Sequence, residues 1–448
     1  MRRPPDLAGA PVPTRAPARP AGHAAGGRRA RPAAVHRNRR PREVARLVVT
    51  LRRIPTSTIL LTLVGALCVV GAVMVGSAST VISLSLYGTP WAILTREIVW
   101  MALGLVALVL ASRTDYRRWR RASPALLCGT YLLLAVVLLP GLGTSAMGSS
   151  RWIGFGQVRI QPSELVKLAL TLFGADLLVR RAERGGPPKT MTGPLLLATA
   201  GAVGLILLQP DMGTALVVAC IALALLFASG VPLKPVAKVI GVLFGIAIAV
   251  AVFSPYRRAR ILSFLDPSAH SSTSGYQVVQ SLIGLGSGHL LGLGLGSSRQ
   301  KWGYLPNAHT DFIFSVIGEE LGLVGAVLVL GMLGALAWFG LRAATRAPDH
   351  FGALVAVAIV AWISAEAVIN IGAVIGLLPV TGIPLPFISF GGSSLVITMA
   401  AAGILVNIAR QERARSTPPR ARRQPVPEPA GRRTGPDRPG PRAAVPGR

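Results

Sequence analysis

The sequence predicts an all-α polytopic membrane protein with ten transmembrane helices, and three observations predict it. Apolar side chains make up 51% of the 448 residues and charged ones only 14%. Several runs approach or exceed the ~18 uncharged residues that mark a membrane span. Basic residues also alternate along the chain, so that every basic short loop falls on the same side as two arginine-rich tails. Both termini are therefore expected in the cytoplasm.

Taken in order, residues 1–53 hold 14 arginines and two acids among Pro, Ala and Gly, without apolar periodicity. This composition reads as a disordered basic tail. No short apolar core with a cleavage site follows, so the first span is expected to be an uncleaved anchor. The membrane domain is expected over 54–410, with spans at 58–80, 93–111, 124–140, 162–179, 194–208, 213–230, 235–253, 311–340, 351–378 and 390–408. "RTDYRRWRR" (113–121), "VRRAERGGPPK" (179–189), "LRAATRAPDH" (341–350) and the pair Lys234 and Lys238 supply the basic side. Between the seventh and eighth spans lies a large outer loop, about 254–310, too long for a plain connection. Its apolar pieces are too short to span and alternate with Gly, which suits amphipathic or re-entrant segments on the outer surface. They contain no GxxxxGK[ST], so no phosphate-binding loop is read there. Residues 411–448 form a second basic tail. Residues 1–53 and 410–448 carry +20 of the net +30, so the charge is no nucleic-acid footprint; it suits anionic headgroups or solvated arms. Cys68, Cys128 and Cys220 fall in apolar runs with no metal or disulfide spacing.

Charge inside a span is costly and faces a cavity or a partner. Four outer-face stretches gather such residues. In "GSSRWIGFGQVRIQPSELVKLAL" (148–170), Pro162 suits the first helical turn, and Glu164 and Lys167 stand at i, i+3 on one face. A cation near a helix N-terminus opposes the macrodipole, so Lys167 needs Glu164 or a bound phosphate. "LQPDMGT" (208–214) puts Asp211 in a tight turn, which turn chemistry explains. In "SSRQKWGYLPNAHTDFIFSVIGEELG", Thr310 or Asp311 can cap the next helix, but capping leaves Arg299, Lys301 and His309 unexplained. Glu319 and Glu320 read as interior ion-pair or hydrogen-bond residues, beside a small-residue face of Gly318, Gly322 and Gly325. In "LLPVTGIPLPFISFGGSSL" (377–395), three prolines forbid a continuous helix, so a structured loop dips into the membrane. Gly391, Gly392, Ser393 and Ser394 then offer donors at the start of the last span, an anion site or a plain helix start.

Together these stretches resemble the SEDS family (shape, elongation, division and sporulation proteins) over residues 55–410, closer to its division branch than to its elongation branch. Three positions depart from the family pattern: Asn307 replaces a frequent acid, Glu366 a more usual Gln and Phe390 a Tyr. No family role transfers to Glu366. The resemblance implies ten helices with both termini inside and polymerisation of lipid II into glycan strands outside the plasma membrane. It implies that Asp311 matches the family's essential acid. It also implies a class B penicillin-binding protein transpeptidase as partner, among other divisome membrane proteins, with no nucleic acid.

The chemistry of that reaction is compatible with the residues. Pyrophosphate leaves without protonation once its charge is neutralised, so one base and a cationic clamp suffice. Asp311 is the expected general base. Lys167, and after it Arg151, Arg299 and Lys301, are expected to meet pyrophosphate, with Glu164, His309, Ser393 and Ser394 completing the substrate site. No ligand cluster demands a metal, though a magnesium or manganese ion bridging Asp311 and phosphate would fit. The alternative functions are a lipid II flippase, suggested by interior Glu319, Glu320 and Glu366, and a non-catalytic divisome scaffold.

Overall fold

The computed structural model describes residues 54–139, 144–146, 149–155, 158–185, 188–232 and 275–416, with single positions at 234, 237, 241 and 245. The first tail, the second tail from 417, most of the seventh expected span and the outer loop up to 274 lie outside the described residues.

Ten helices occur among the described residues: α1 (Thr56–Tyr87), α2 (Ala92–Arg113), α3 (Tyr116–Val137), α4 (Pro162–Glu183), α5 (Pro188–Leu208), α6 (Met212–Ala228), α7 (Tyr276–Ser287), α8 (Ile313–Thr345), α9 (His350–Val374) and α10 (Ser393–Ser416). All except α7 coincide with expected spans. Among the described residues, α1, α2, α8, α9 and α10 are individually long and apolar enough to cross a membrane; the chain is a polytopic membrane protein. α7 is a 12-residue helix of the large loop, too short to span.

The helix ends follow from local chemistry. α1 stops where Gly88 turns left-handed (φ 70°) and its N–H returns to the Leu84 carbonyl. α4 opens on Pro162, as expected. Asp115, Asp211 and Asp349 cap α3, α6 and α9 by accepting backbone N–H groups.

At one end of the bundle these caps join a wider brace. Asp349 Oδ2 accepts from the Tyr116 hydroxyl at 2.8 Å and from Arg117 Nε at 2.9 Å. Asn407 on α10 takes the Tyr116 N–H and donates to the Ser112 carbonyl. Arg120 pairs with Asp176 of α4 at 2.7 Å. Arg410, Gln411 and Glu412 also make contacts here, which explains why α10 runs to Ser416, past the expected domain edge at 410.

Three features of the opposite end correct the sequence reading. The fold is not purely helical: β1 (Thr144–Ala146), β2 (Ser149–Phe155) and β3 (Val158–Ile160) form an antiparallel sheet, with Ile153 opposite Ile160. The expected Gly318/Gly322/Gly325 packing face is interrupted, because Gly322 adopts φ 68°, ψ −167° and breaks α8. Finally, neither Thr310 nor Asp311 holds the cap position of α8. The Phe312 N–H returns to the carbonyl of Asn307, a left-handed residue (φ 57°), so the helix starts later, with Phe312 at the cap position and no side-chain cap. Left-handed backbone favours Asn and Asp alike, which makes the Asn307 departure conformationally mild.

The break at Gly322 is filled by the glycine-rich segment that follows α7. In a continuous helix, the N–H groups of Leu323 and Val324 would bond to the carbonyls of Glu319 and Glu320. Here those carbonyls accept from Leu293 and Gly294 at 2.9 and 3.1 Å, while Leu323 and Val324 donate to His289 and Leu290 at 3.0 and 3.2 Å. The glycines form a strap matched to the four groups that the break frees.

The α9–α10 connection dips back as the prolines predict. Its backbone at Phe387 and Ile388 packs on Gly71, midway along α1, where a Cβ would stand 2.7 Å from the Phe387 carbonyl oxygen. Gly322→Ala should destabilise the protein by about 1–3 kcal/mol, since a left-handed backbone disfavours a Cβ and that Cβ would strike the Leu290 carbonyl. Thermal unfolding in detergent checks this; an unchanged midpoint would mean the break relaxes into helix.

Candidate active site

The site end is organised around the first turns of α4. Lys167 is only 2% exposed. Its Nζ lies 2.6 Å from Glu164 Oε2, an ion-pair contact without hydrogen-bond alignment, and it hydrogen-bonds Glu366 on α9. The ammonium also sits 5.0 Å from the Trp362 ring centroid, a cation–π distance. The expected Glu164–Lys167 pair is thus a triad with a third member from another helix. A phosphate reaching Lys167 would compete with two carboxylates already in place.

Beside the triad opens a cleft of about 420 Å³, bordered by Arg151, Gln161, Glu164, Asp211, Glu366 and Gly382 among others. A second space of about 240 Å³ shares Glu366 and Pro384 and extends to Ser394. Glu366 therefore stands between the two. Arg151, on β2, bonds the Gln209 carbonyl at 2.9 Å and also the Pro210 carbonyl, tying the sheet to the α5–α6 turn. Asp211 accepts from the Thr214 N–H and hydroxyl and from Gln161 Nε2, so its turn role extends to holding the cleft floor. Ser393 Oγ accepts the Gln161 N–H at 3.2 Å, and Ser394 Oγ donates to the Gly391 carbonyl. These contacts join α10 to α4 and engage both serines within the protein.

Asp311 reaches the same region from the other side. Its carbonyl accepts from Asn370 Nδ2 at 2.8 Å, and that amide also donates to the Ile383 carbonyl at 2.7 Å. A Cβ at Gly382 would lie 3.6 Å from Asp311 Oδ2. Asn370 thus pins the Asp311 segment to the re-entrant loop, with the carboxylate beside Gly382. His309 packs on Phe390, ring centroids 5.8 Å apart, and accepts the Phe390 N–H on its carbonyl. Burial pushes the His309 pKa down to about 4, so this imidazole is neutral near pH 7 and offers no cation to a phosphate.

Arg299 and Lys301 are drawn elsewhere. The Arg299 N–H and Ser298 hydroxyl bond the Glu319 carboxylate, and Glu320 accepts from the Ser298 N–H and the Ser77 hydroxyl. Lys301 Nζ lies 3.8 Å from Glu320 and donates to the Gly296 carbonyl. Glu319 and Glu320 are therefore interior hydrogen-bond and ion-pair residues, as expected, and Glu320 engages Lys301; the Arg299 side chain remains exposed.

Sequence reasoning left Glu366, Trp362 and Asn370 without roles. Their spacing at i, i+4 and i+8 on one apolar helix was the available signal, since such positions share a face.

A model of a family described as "Cell cycle protein", the FtsW/RodA/SpoVE family, matches residues 58–414. A Geobacter metallireducens protein named "Probable peptidoglycan glycosyltransferase FtsW" is 39% identical over 351 residues, 78% of this chain and 94% of that one. "Stage V sporulation protein E" of Bacillus subtilis is 38% identical over 367 residues, 82% of this chain and 100% of that one. A solved structure described as "Structural coordination of polymerization and crosslinking by a peptidoglycan synthase complex" superposes with TM-score 0.65 at 31% identity, covering 79% of this chain and 97% of its own.

Removing the ammonium from the triad would leave Glu164 and Glu366 buried without their cation, a loss that typically costs about 3–5 kcal/mol. Lys167→Met should therefore unfold at markedly lower temperature, and adding Glu164→Gln with Glu366→Gln should restore much of the loss. A wild-type melting profile for the single variant would show that the carboxylates do not depend on Lys167.

Proposed function

The chain belongs to the FtsW/RodA/SpoVE family of cell cycle proteins, and on that premise we propose that it is a peptidoglycan glycosyltransferase that polymerises lipid II into glycan strands during cell division. The observation that carries the residue assignment is the placement of Asp311. Phe312, not Asp311, holds the cap position of α8, and the Asp311 carboxylate lies beside Gly382, a residue of the cleft lining.

In the proposed reaction a sugar hydroxyl of one substrate attacks the anomeric carbon of another. The new C–O bond forms as the bond to the polyprenyl pyrophosphate breaks, and Asp311 takes the hydroxyl proton as general base. The leaving group departs with the bonding electrons as pyrophosphate, so no acid is required; cationic groups stabilise the charge that develops. Arg299, exposed on the segment leading to Asp311, and Arg151 on the cleft wall are the cations assigned to this role. Lys167 acts with Glu164 and Glu366 to hold α4 against α9. Among the described residues no group of three His, Cys, Asp or Glu is placed to hold a metal. A magnesium or manganese ion at Asp311 would take its remaining ligands from phosphate and water, as hard cations do.

The braced end, rich in arginine, is assigned to the cytoplasm and the site end to the outer face. A class B penicillin-binding protein transpeptidase and other divisome membrane proteins are the proposed partners, at the septum. The matched synthase-complex structure, described as coordinating polymerisation with crosslinking, supports such a pairing.

Two measurements test this reading. A cysteine placed at exposed Thr89 should react with an impermeant maleimide on intact cells, and one at exposed Arg118 only after lysis; the reverse pattern inverts the orientation. Asp311→Asn should fold normally, because Asn serves a helix start about as well as Asp, while polymerisation of fluorescent lipid II falls about 10²- to 10⁴-fold. An Asn variant that polymerises at the wild-type rate would end the general-base assignment.

A further inference from the structure

The strap at the α8 break exposes apolar side chains where a water-facing loop would expose polar ones. Leu290 is 66% exposed, Leu291 80% and Leu295 59%. Isolated exposed leucines need no explanation, but a contiguous set does. These do not stand alone. The strap's hydrogen bonds to Leu323 and Val324 place it directly against α8, whose Leu323, Val324, Val327 and Leu328 are exposed along a membrane span. The leucines of the strap continue that flank past the point where the helix breaks.

Irregular backbone is excluded from lipid unless its polar groups find partners within the protein. The strap meets this condition where it faces α8. Gly292 N–H bonds the Gly288 carbonyl at 2.8 Å, Leu293 and Gly294 donate to Glu319 and Glu320, and the His289 and Leu290 carbonyls accept from Leu323 and Val324. Beyond it come exposed Arg299, Trp302 and Tyr304, a basic and aromatic set of the kind that settles at headgroup level.

We propose that residues 288–304 are a membrane-inserted wedge: Leu290, Leu291 and Leu295 enter the acyl layer of the leaflet on the site side, and Trp302 and Tyr304 lie at its headgroups. The occupant of this surface is lipid. The wedge fixes the depth of the chain leading to Asp311 by anchoring that segment to the bilayer as well as to α8. This inference rests on the strap alone and is independent of the glycosyltransferase reading.

The test uses the full chain with Cys68, Cys128 and Cys220 changed to Ser, reconstituted in phosphatidylcholine–phosphatidylglycerol vesicles. Single cysteines replace Leu291, Leu295 or, as the lipid-facing reference, Val327, and each carries a bimane label. Labels at 291 and 295 should lose most of their fluorescence to doxyl groups on the acyl chains, as the label at 327 does, and resist aqueous iodide. Quenching by iodide without quenching by doxyl lipid would place the strap in water and overturn the proposal. Resistance to both quenchers would mean that protein, such as a second copy or a bound helix, covers the leucines, and would overturn it equally. Because 291 and 295 are both surface positions, failure of one variant to fold leaves the other to decide.

Discussion

A membrane interior supplies no hydrogen bonds, so every backbone group that leaves a regular helix there must be matched by another part of the same chain. This constraint shapes the site end of the molecule. A break in α8 at Gly322 is permissible because the strap donates two N–H groups and accepts two others at the places where the helix forfeits them. The glutamates at 319 and 320 add a second layer, their carboxylates holding Ser298 and the Arg299 backbone while their carbonyls hold the strap. The same requirement governs the re-entrant loop, where Asn370 serves the Asp311 and Ile383 carbonyls with one side chain.

Charge is distributed unevenly over this end. The cleft borders on Glu164, Asp211 and Glu366, and the buried Lys167 answers two of them. Carboxylates suit hydroxyl- and amide-bearing ligands better than phosphate, because they accept hydrogen bonds and repel anions. Arg299, on the segment leading to Asp311, keeps an exposed side chain.

Much of this was legible in advance, for identifiable reasons. The spans and their alternating basic loops follow from composition, and Pro162 and the 379–386 prolines mark a helix start and a non-helical loop by covalent geometry alone. The ion pair at 164 and 167 was legible from i, i+3 spacing. What was not legible depends on contacts distant in sequence. Glycines 318, 322 and 325 look like a packing face until the strap shows that Gly322 bends left-handed to receive it. Asp311 has the residue type and position of a cap, but the left-handed turn at Asn307 delays the helix past it. Glu366 could be seen as costly in a span, yet only the fold brings it to Lys167, 199 positions away. Of the strands at 144–160, two are only three residues long, and the seven of β2, "SSRWIGF", do not alternate apolar with polar side chains.

The order of the chain gives the interrupted helix a further consequence during synthesis. The strap precedes α8 in the chain, so it emerges from the ribosome before Gly322 does. The two carbonyls and two amides opened at the break can therefore be covered as soon as the helix enters the bilayer. Were the strap encoded downstream, the exposed groups would have to wait for a later segment, in the environment least tolerant of delay. The sequence order thus places the complement ahead of the defect, and the hairpin of strap and broken helix can mature as a unit while the last two spans are still being translated.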